Sequence, residues 1–334
     1  MVVNINWIGD VLFSTPAIRL IKESYPLSYL ACMVVPRCKE ILENNPYIDE
    51  LIFFDERTIH RSLLSKLKFI LLLKRKKFDA VFIFHRSFTR TLICYLSGIP
   101  QRIGYFRRKS AFLLTEKIEM KKGIHRVDYF LNLLRPRGLE AKSRNYQFFI
   151  REQDRDFASS FLEEHKINTE DSLVYLNPGG NWLLKRWPPE NFAKLGDLII
   201  EKYNAKVIIT GAQKDRGLAL NIAKAMKHKS LIVAGKTSLA GLAALYERGH
   251  LVISGDSGPL HIAICMKAPT IALFGPTSPK ITGPIGSSKF RLIQVDVGCL
   301  VPCYELNCSL NKCMRAITPQ KVIEIIDEEK ILLV

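Results

Sequence analysis

The chain has 334 residues, 48% hydrophobic and 24% charged, long enough for two domains of ordinary size. No apolar run reaches the ~18 residues needed to cross a bilayer, and the N-terminus lacks the charged start and apolar core of a secretory signal, so a cytoplasmic location is expected. The net charge of +17 is lopsided: residues 1–150 hold 26 Lys and Arg against 13 Asp and Glu (+13), and residues 151–334 hold 23 against 19 (+4). A basic first half suits an anionic partner, such as nucleic acid, anionic headgroups or a phosphorylated glycolipid, although a basic solvated surface explains the charge as well.

Short apolar runs alternate with longer amphipathic ones, the pattern of βα units around parallel sheets. A strand at 2–6 hands over at Gly9-Asp10 to a helix at 15–25. A carboxylate at that handover caps the helix, worth about 1 kcal/mol, or acts as a general base if a substrate hydroxyl comes within reach. Strands follow at 30–35, 51–54 and 80–84, with helices at 37–43, 62–74, 88–97 and 126–134. The helix at 62–74 is leucine-rich and ends in Lys74-Arg75-Lys76-Lys77, so it reads either as a basic amphipathic helix for a membrane surface or as a helix covering the sheet. Residues 135–151 lose the periodicity and read as a linker, which sets domains at 1–150 and 151–334.

The second series begins with a helix at 154–164 and a strand at 173–177, followed by Asn177-Pro178-Gly179-Gly180-Asn181 and Lys185-Arg186-Trp187-Pro188. A glycine turn followed by a lysine and an arginine suits a diphosphate, or is a loop with solvated charges. Then come a helix at 189–203, a strand at 206–210, the turn Gly211-Ala212-Gln213-Lys214-Asp215 and a helix at 215–226. Gln213 or Asp215 can accept from a sugar hydroxyl, and Asp215 can equally cap the helix. A strand at 231–233, a helix at 239–248 and a strand at 251–254 lead to Ser254-Gly255-Asp256-Ser257-Gly258-Pro259-Leu260-His261, before a helix at 262–266 and a strand at 270–274. A small glycine turn between strand and helix lets the backbone approach a ligand and points unpaired N–H groups at an anion. The plainer reading is a tight turn with Ser257 as N-cap. Two doubly wound domains in tandem place a ligand crevice at strand ends, facing an interdomain cleft.

In this order, these stretches resemble the lipopolysaccharide heptosyltransferases of glycosyltransferase family 9, the heptosyltransferase II branch most of all. The matching pieces are Gly9 through Ala17 with Tyr25-Pro26, Asn177-Pro178-Gly179 with Lys185-Arg186-Trp187-Pro188, and Gly211 through Asp215. They continue with Gly255 through His261, Leu273-Phe274-Gly275-Pro276-Thr277, and Cys313 through Pro319. The resemblance implies an α/β GT-B fold of two Rossmann-like domains, acceptor-side at 1–150 and nucleotide-sugar-binding at 151–334. It implies inverting, metal-independent transfer from ADP-heptose to an inner-core lipopolysaccharide (lipid A–Kdo type) acceptor, by a monomer on the inner face of the cytoplasmic membrane. By motif, Asp10 becomes the base and Lys185 the cation for the leaving diphosphate. Gly179, Arg186, Gln213, Asp215, Thr237, Leu239, Asp256, Ser257, Gly258 and His261 fall on the donor side. Ser14, Arg86, Arg90, Arg107 and Arg108 are the acceptor-side candidates.

No cofactor is required on this reading, and the ADP-sugar is a substrate. Cys299, Cys303, Cys308 and Cys313 are close enough in sequence for a structural zinc, but their spacing is not the paired CxxC kind; free thiols, or pairing on oxidation, are the alternatives. Two other function classes fit the composition less well. A dinucleotide-dependent oxidoreductase would need G-x-G-x-x-G after the first strand, where one glycine stands. A nucleic-acid binder finds no recognisable motif. Use of another nucleotide sugar, or nucleotide binding without transfer, stays open.

Overall fold

The computed structural model describes residues 1–286, 289–305 and 307–332. The chain divides into two units, Met1–Phe149 and Ile150–Val334. Among the described residues no helix is long and apolar enough to cross a membrane.

The first unit is built on a six-stranded parallel sheet: β1 (Val2–Val3), β2 (Ala31–Val34), β3 (Glu50–Phe53), β4 (Ala80–Ile83), β5 (Gln101–Tyr105) and β6 (Glu116–Ile118). Its order is β3-β2-β1-β4-β5-β6, so the chain reverses direction across the sheet between β1 and β4, where Val2 lies beside Cys32 on one side and Phe82 on the other. Its helices are α1 (Ile8–Ser24), α2 (Lys39–Leu42), α3 (Leu63–Arg75), α4 (Phe88–Leu96) and α5 (Arg126–Asn132). One core face gathers Val3, Met33, Ile52, Val81 and Ile83 from the strands with Phe69, Leu73, Ile93 and Cys94 from α3 and α4.

The strands β5 and β6 escape a reading by apolar runs. Gln101-Arg102-Ile103-Gly104-Tyr105 carries a charge and a glycine, and Glu116-Lys117-Ile118 is short and charged. The start of α1 also differs from expectation. The helix expected at 15–25 begins instead at Ile8 and runs through Pro16. Proline has no N–H to give to Leu12, and the Thr15 hydroxyl donates to that carbonyl instead, at 2.8 Å. The Ser14 hydroxyl donates to Val11 O at 2.7 Å. The early start moves Asp10 into the first helical turn.

The second unit repeats the plan with β7 (Leu173–Asn177), β8 (Lys206–Ile209), β9 (Leu231–Ile232), β10 (Leu251–Gly255), β11 (Thr270–Phe274) and β12 (Phe290–Gln294). The order β12-β11-β10-β7-β8-β9 is again parallel throughout, with its reversal between β7 and β10. The helices are α6 (Glu152–Glu164), α7 (Pro189–Tyr203), α8 (Arg216–Ala225), α9 (Leu239–Glu247), α10 (Gly258–Cys265), α11 (Pro279–Thr282), α12 (Lys312–Arg315) and α13 (Pro319–Glu328). The central strands β7, β10 and β11 are buried along their whole length, as expected of a sheet covered on both faces. Trp187 is buried before α7, and its indole N–H donates to Ile317 O at 2.8 Å, which ties the loop after β7 to the segment entering α13.

Candidate active site

In a doubly wound sheet, ligands bind beyond the carboxyl ends of the strands where the strand order reverses. In the first unit that place lies past β1 and β4. Asp10 is the third residue of α1, and its carboxylate is favoured there by the helix dipole. Arg126, the first residue of α5, donates from Nε to Asp10 Oδ1 at 2.9 Å. The guanidinium lies over the rings of Tyr129 (4.7 Å) and Phe130 (5.7 Å), so it is held from below as well. Asp10 Oδ2 has no hydrogen-bond partner among the described residues. The N-cap position belongs to Trp7, whose side chain makes no cap, so Asp10 is not the helix cap. Arg126 went unnoticed in the sequence because 116 residues separate it from Asp10 and no local motif marks it.

The cations expected on the acceptor side divide into two kinds. Arg86, Arg107 and Arg108 are exposed; Arg107 donates to the Arg86 carbonyl at 2.7 Å, joining the loops after β4 and β5. Arg90 is different: only 1% of it is exposed. Its guanidinium donates to Asn4 O and to Asn6 Oδ1, both at 2.8 Å, and Nε lies 3.5 Å from a Glu56 carboxylate oxygen. Arg90, expected on the acceptor side, therefore clamps the exit of β1 with its guanidinium turned inward. Ser14 is likewise fully buried, accepting from the Asn4 side chain at 2.9 Å while it donates to Val11. Both residues shape the chain beneath the site. Next to Arg86, burial together with the charge of Arg90 pushes the His85 imidazole down to about 4, so it is neutral at physiological pH.

In the second unit the reversal lies past β7 and β10, and the residues expected on the donor side converge there. The Lys185 ammonium, in the loop after β7, donates to Asp256 Oδ2 at 2.7 Å, after β10. Asp256 also accepts from the Thr282 hydroxyl at 3.1 Å, and His261 Nε2 lies 3.8 Å from its other oxygen. Burial alone would raise the Asp256 carboxyl; the His261 hydrogen bond and the Lys185 charge outweigh it and hold the group well below the usual carboxylate range. Ser257 occupies the N-cap position of α10, yet its side chain makes no cap. Its hydroxyl lies 3.1 Å from that of Ser254, and the Asn177 amide donates to both, at 3.0 Å and 3.3 Å. The first amides of α10, Gly258 among them, are thus left without a side-chain cap beside a fixed ammonium.

The loop itself is closed by Arg186. Its guanidinium donates twice to Gly180 O, at 2.9 Å and 2.6 Å, and once to Asp215 Oδ1 at 3.1 Å. Lys214 adds a hydrogen bond to Asn181. Asp215 is buried and accepts from Ala212 N at 3.2 Å, so it caps its turn and pairs with Arg186 at once. Gly179 is required by this closeness, because a Cβ there would stand 2.7 Å from Asp215 Oδ2. Gly255 is required in the same way, with a Cβ 2.9 Å from the Lys185 carbonyl. Gln213 is exposed, and Thr237 and Leu239 are half-buried around the start of α9, at the carboxyl ends of β8 and β9. Cys299, Cys303, Cys308 and Cys313 are free thiols. No group of three or more His, Cys, Asp or Glu side chains among the described residues is arranged to hold a metal ion.

Residues 67–314, well over half of the chain, match the family described as glycosyltransferase family 9 (heptosyltransferase). Lipopolysaccharide heptosyltransferase 2 of Escherichia coli K12 is 24% identical over 339 residues, covering 97% of this chain and 96% of that protein. A solved glycosyltransferase family 9 structure from Veillonella parvula superposes with a TM-score of 0.86 at 26% identity, covering 99% of this chain and 96% of the other. The structure of an E. coli ADP-heptose lipopolysaccharide heptosyltransferase II gives a TM-score of 0.81 at 24% identity, covering 99% and 98%. The two doubly wound sheets expected from the sequence are the α/β, GT-B-like architecture that these proteins share. The chain belongs to glycosyltransferase family 9, the heptosyltransferase family, and is a glycosyltransferase.

Proposed function

We propose that this glycosyltransferase moves heptose from ADP-heptose to an inner-core lipopolysaccharide acceptor, with inversion at the anomeric carbon, with Asp10 as general base and without a metal ion in the step. The first unit handles the acceptor and the second the nucleotide sugar. The relatives matched over nearly the whole chain carry heptosyltransferase names, which supports the sugar and the acceptor class. The observation that carries the mechanism is the Lys185 ammonium, held by Asp256 beside the uncapped opening of α10. A fixed cation next to free helix amides is the arrangement that stabilises charge growing on a departing diphosphate.

The acceptor hydroxyl oxygen forms the new bond to the anomeric carbon as the bond from that carbon to the β-phosphate oxygen breaks. The hydroxyl proton passes to Asp10 Oδ2 while Arg126 keeps Oδ1 in place. The departing ADP takes the electron pair of the broken bond, and Lys185 and the α10 amides bear its charge. Asp256 orients the ammonium and accepts from sugar hydroxyls. Gln213, Asp215, Thr237 and Leu239 face the nucleoside, while Gly179 and Arg186 shape the loop beside the diphosphate. Arg86, Arg107 and Arg108 supply the anionic acceptor's countercharge. The enzyme works as a cytoplasmic monomer at the inner membrane surface.

The test combines ADP-heptose with a deacylated inner-core acceptor and follows ADP release together with the anomeric configuration of the product. We expect one ADP per inverted product, at a rate that chelators leave unchanged. Asp10→Asn should lower kcat by roughly 10²–10⁴-fold with donor affinity intact. Near-normal turnover of that variant removes Asp10 as the base. Equal use of UDP- or GDP-sugars removes the donor assignment.

A further inference from the structure

An ordinary surface helix of a doubly wound domain is apolar on the face against the sheet and polar on the other. The helix α3 is apolar on both. Phe69 and Leu73, four residues apart, are buried in the core of the first unit. Leu63, Leu67 and Leu71 repeat at the same interval on the opposite side, with Leu64 beside them, and these four are 78%, 54%, 55% and 71% exposed. At 3.6 residues per turn they cover an outward stripe, and Lys74 falls within it while Lys68 and Arg75 flank it.

The charge around the stripe has one sign. From Arg57 to Lys77 the sequence holds eight Lys and Arg and no Asp or Glu. Lys76 is paired with Glu50 of β3, and Lys66 donates to the Arg61 carbonyl. Lys68, Lys74, Arg75 and Lys77 have no acidic partner among the described residues. The helix is also finished as a helix: the Ser62 hydroxyl caps it by accepting from Ser65 N at 3.1 Å. Exposed leucines framed by unpaired cations on a preformed helix match a surface whose interior is apolar and whose face is anionic. A second copy of the chain fits less well, because two such faces would bring like charges together.

We infer that the outward face of α3 is a docking surface for an anionic phospholipid bilayer, with Leu63, Leu64, Leu67 and Leu71 entering the acyl boundary and Lys68, Lys74 and Arg75 meeting headgroup phosphates. This deepens the proposed reaction at a membrane-borne acceptor and rests on that reading only for its purpose. The helix lies flat on the surface and does not span it: at 13 residues it is too short to cross.

The test uses the full chain and vesicles that contain no acceptor, so binding is read apart from transfer. Flotation should show at least about tenfold stronger partition onto phosphatidylcholine vesicles doped with phosphatidylglycerol than onto phosphatidylcholine alone, weakened by salt. Leu67→Glu with Leu71→Glu should lower that partition by at least about tenfold while transfer to a deacylated, water-borne acceptor stays at the parent rate. Leu67→Trp should show a blue-shifted emission on anionic vesicles. This readout needs no destabilising change and holds even if the glutamate pair fails to fold. Unchanged partition of the glutamate variant, an unshifted tryptophan, or a dimer in solution that the glutamate pair dissolves would overturn the inference. Loss of transfer with vesicle binding intact would instead count against the proposed reaction and leave the docking face standing.

Discussion

Replacing Lys185 by methionine keeps most of the stem volume and deletes one charge. What remains is the Asp256 carboxylate, 8% exposed, with the Thr282 hydroxyl and His261 as its remaining partners. A hydrogen bond to a charged group contributes about 1.5–3 kcal/mol, and the lost bond here is short, at 2.7 Å, on an acceptor with little access to water. In a unit of this size 1 kcal/mol moves the melting temperature by roughly 2–4 °C, so a fall of about 3–12 °C is expected at neutral pH. The pH dependence has a definite sign. The native carboxyl lies below its ordinary value, so its stabilisation is complete above the ordinary carboxylate pKa of about 4 and is lost as pH falls through the native value. The gap between parent and Lys185→Met should therefore be constant from neutral pH down to about 5 and narrow below 4. Adding Asp256→Asn removes the orphaned charge and should recover at least half of the lost melting temperature, while transfer stays at least about tenfold down, or 1.4 kcal/mol. Thermal melts across pH, paired with kcat/KM, read both effects. A single variant that melts like the parent, or a double variant less stable than the single, would refute the reasoning.

Arg90→Ala should act on folding and leave acceptor KM alone. Removal of a buried guanidinium that holds Asn4, Asn6 and Glu56 costs about 3–5 kcal/mol, visible in denaturant melts; a normal melt with a raised acceptor KM would contradict its buried placement. Gly255→Ala puts a methyl 2.9 Å from the Lys185 carbonyl, a backbone atom that cannot rotate away, and should cost about 1–3 kcal/mol together with a fall in kcat/KM. A variant with parent stability and rate would show that the end of β10 has room to spare.

Where burial and periodicity coincide, the sequence was a good guide. The strands β7 and β11 and the helix α7 fall where their apolar runs and flanking turns place them, because fully buried strands and an amphipathic helix leave clear patterns. The residues expected on the donor side gather at the turns after β7, β8, β9 and β10, at the carboxyl ends of the sheet where the apolar runs stop. Failure followed where a local rule was outvoted. The helix expected from 15 starts at Ile8, because the Thr15 hydroxyl supplies the donor that Pro16 lacks and lets α1 run through the proline. Arg90 and Ser14, expected on the acceptor side, are buried, which nothing in the local sequence announces. Arg126 belongs to no motif, since its relation to Asp10 exists only after the sheet has formed. In α3 the two readings describe different faces of one helix: Phe69 and Leu73 cover the sheet, and the outer leucines do not.

The loop from Gly179 to Arg186 is already tied in a ring, with the Arg186 fork on the Gly180 carbonyl and its third contact on Asp215. Its disorder is removed during folding, so a nucleotide bound beside it as proposed would meet a frame with its shape set and lose little to induced ordering. Amide exchange in this stretch should accordingly be slow before any ligand arrives, and Arg186→Ala should speed it.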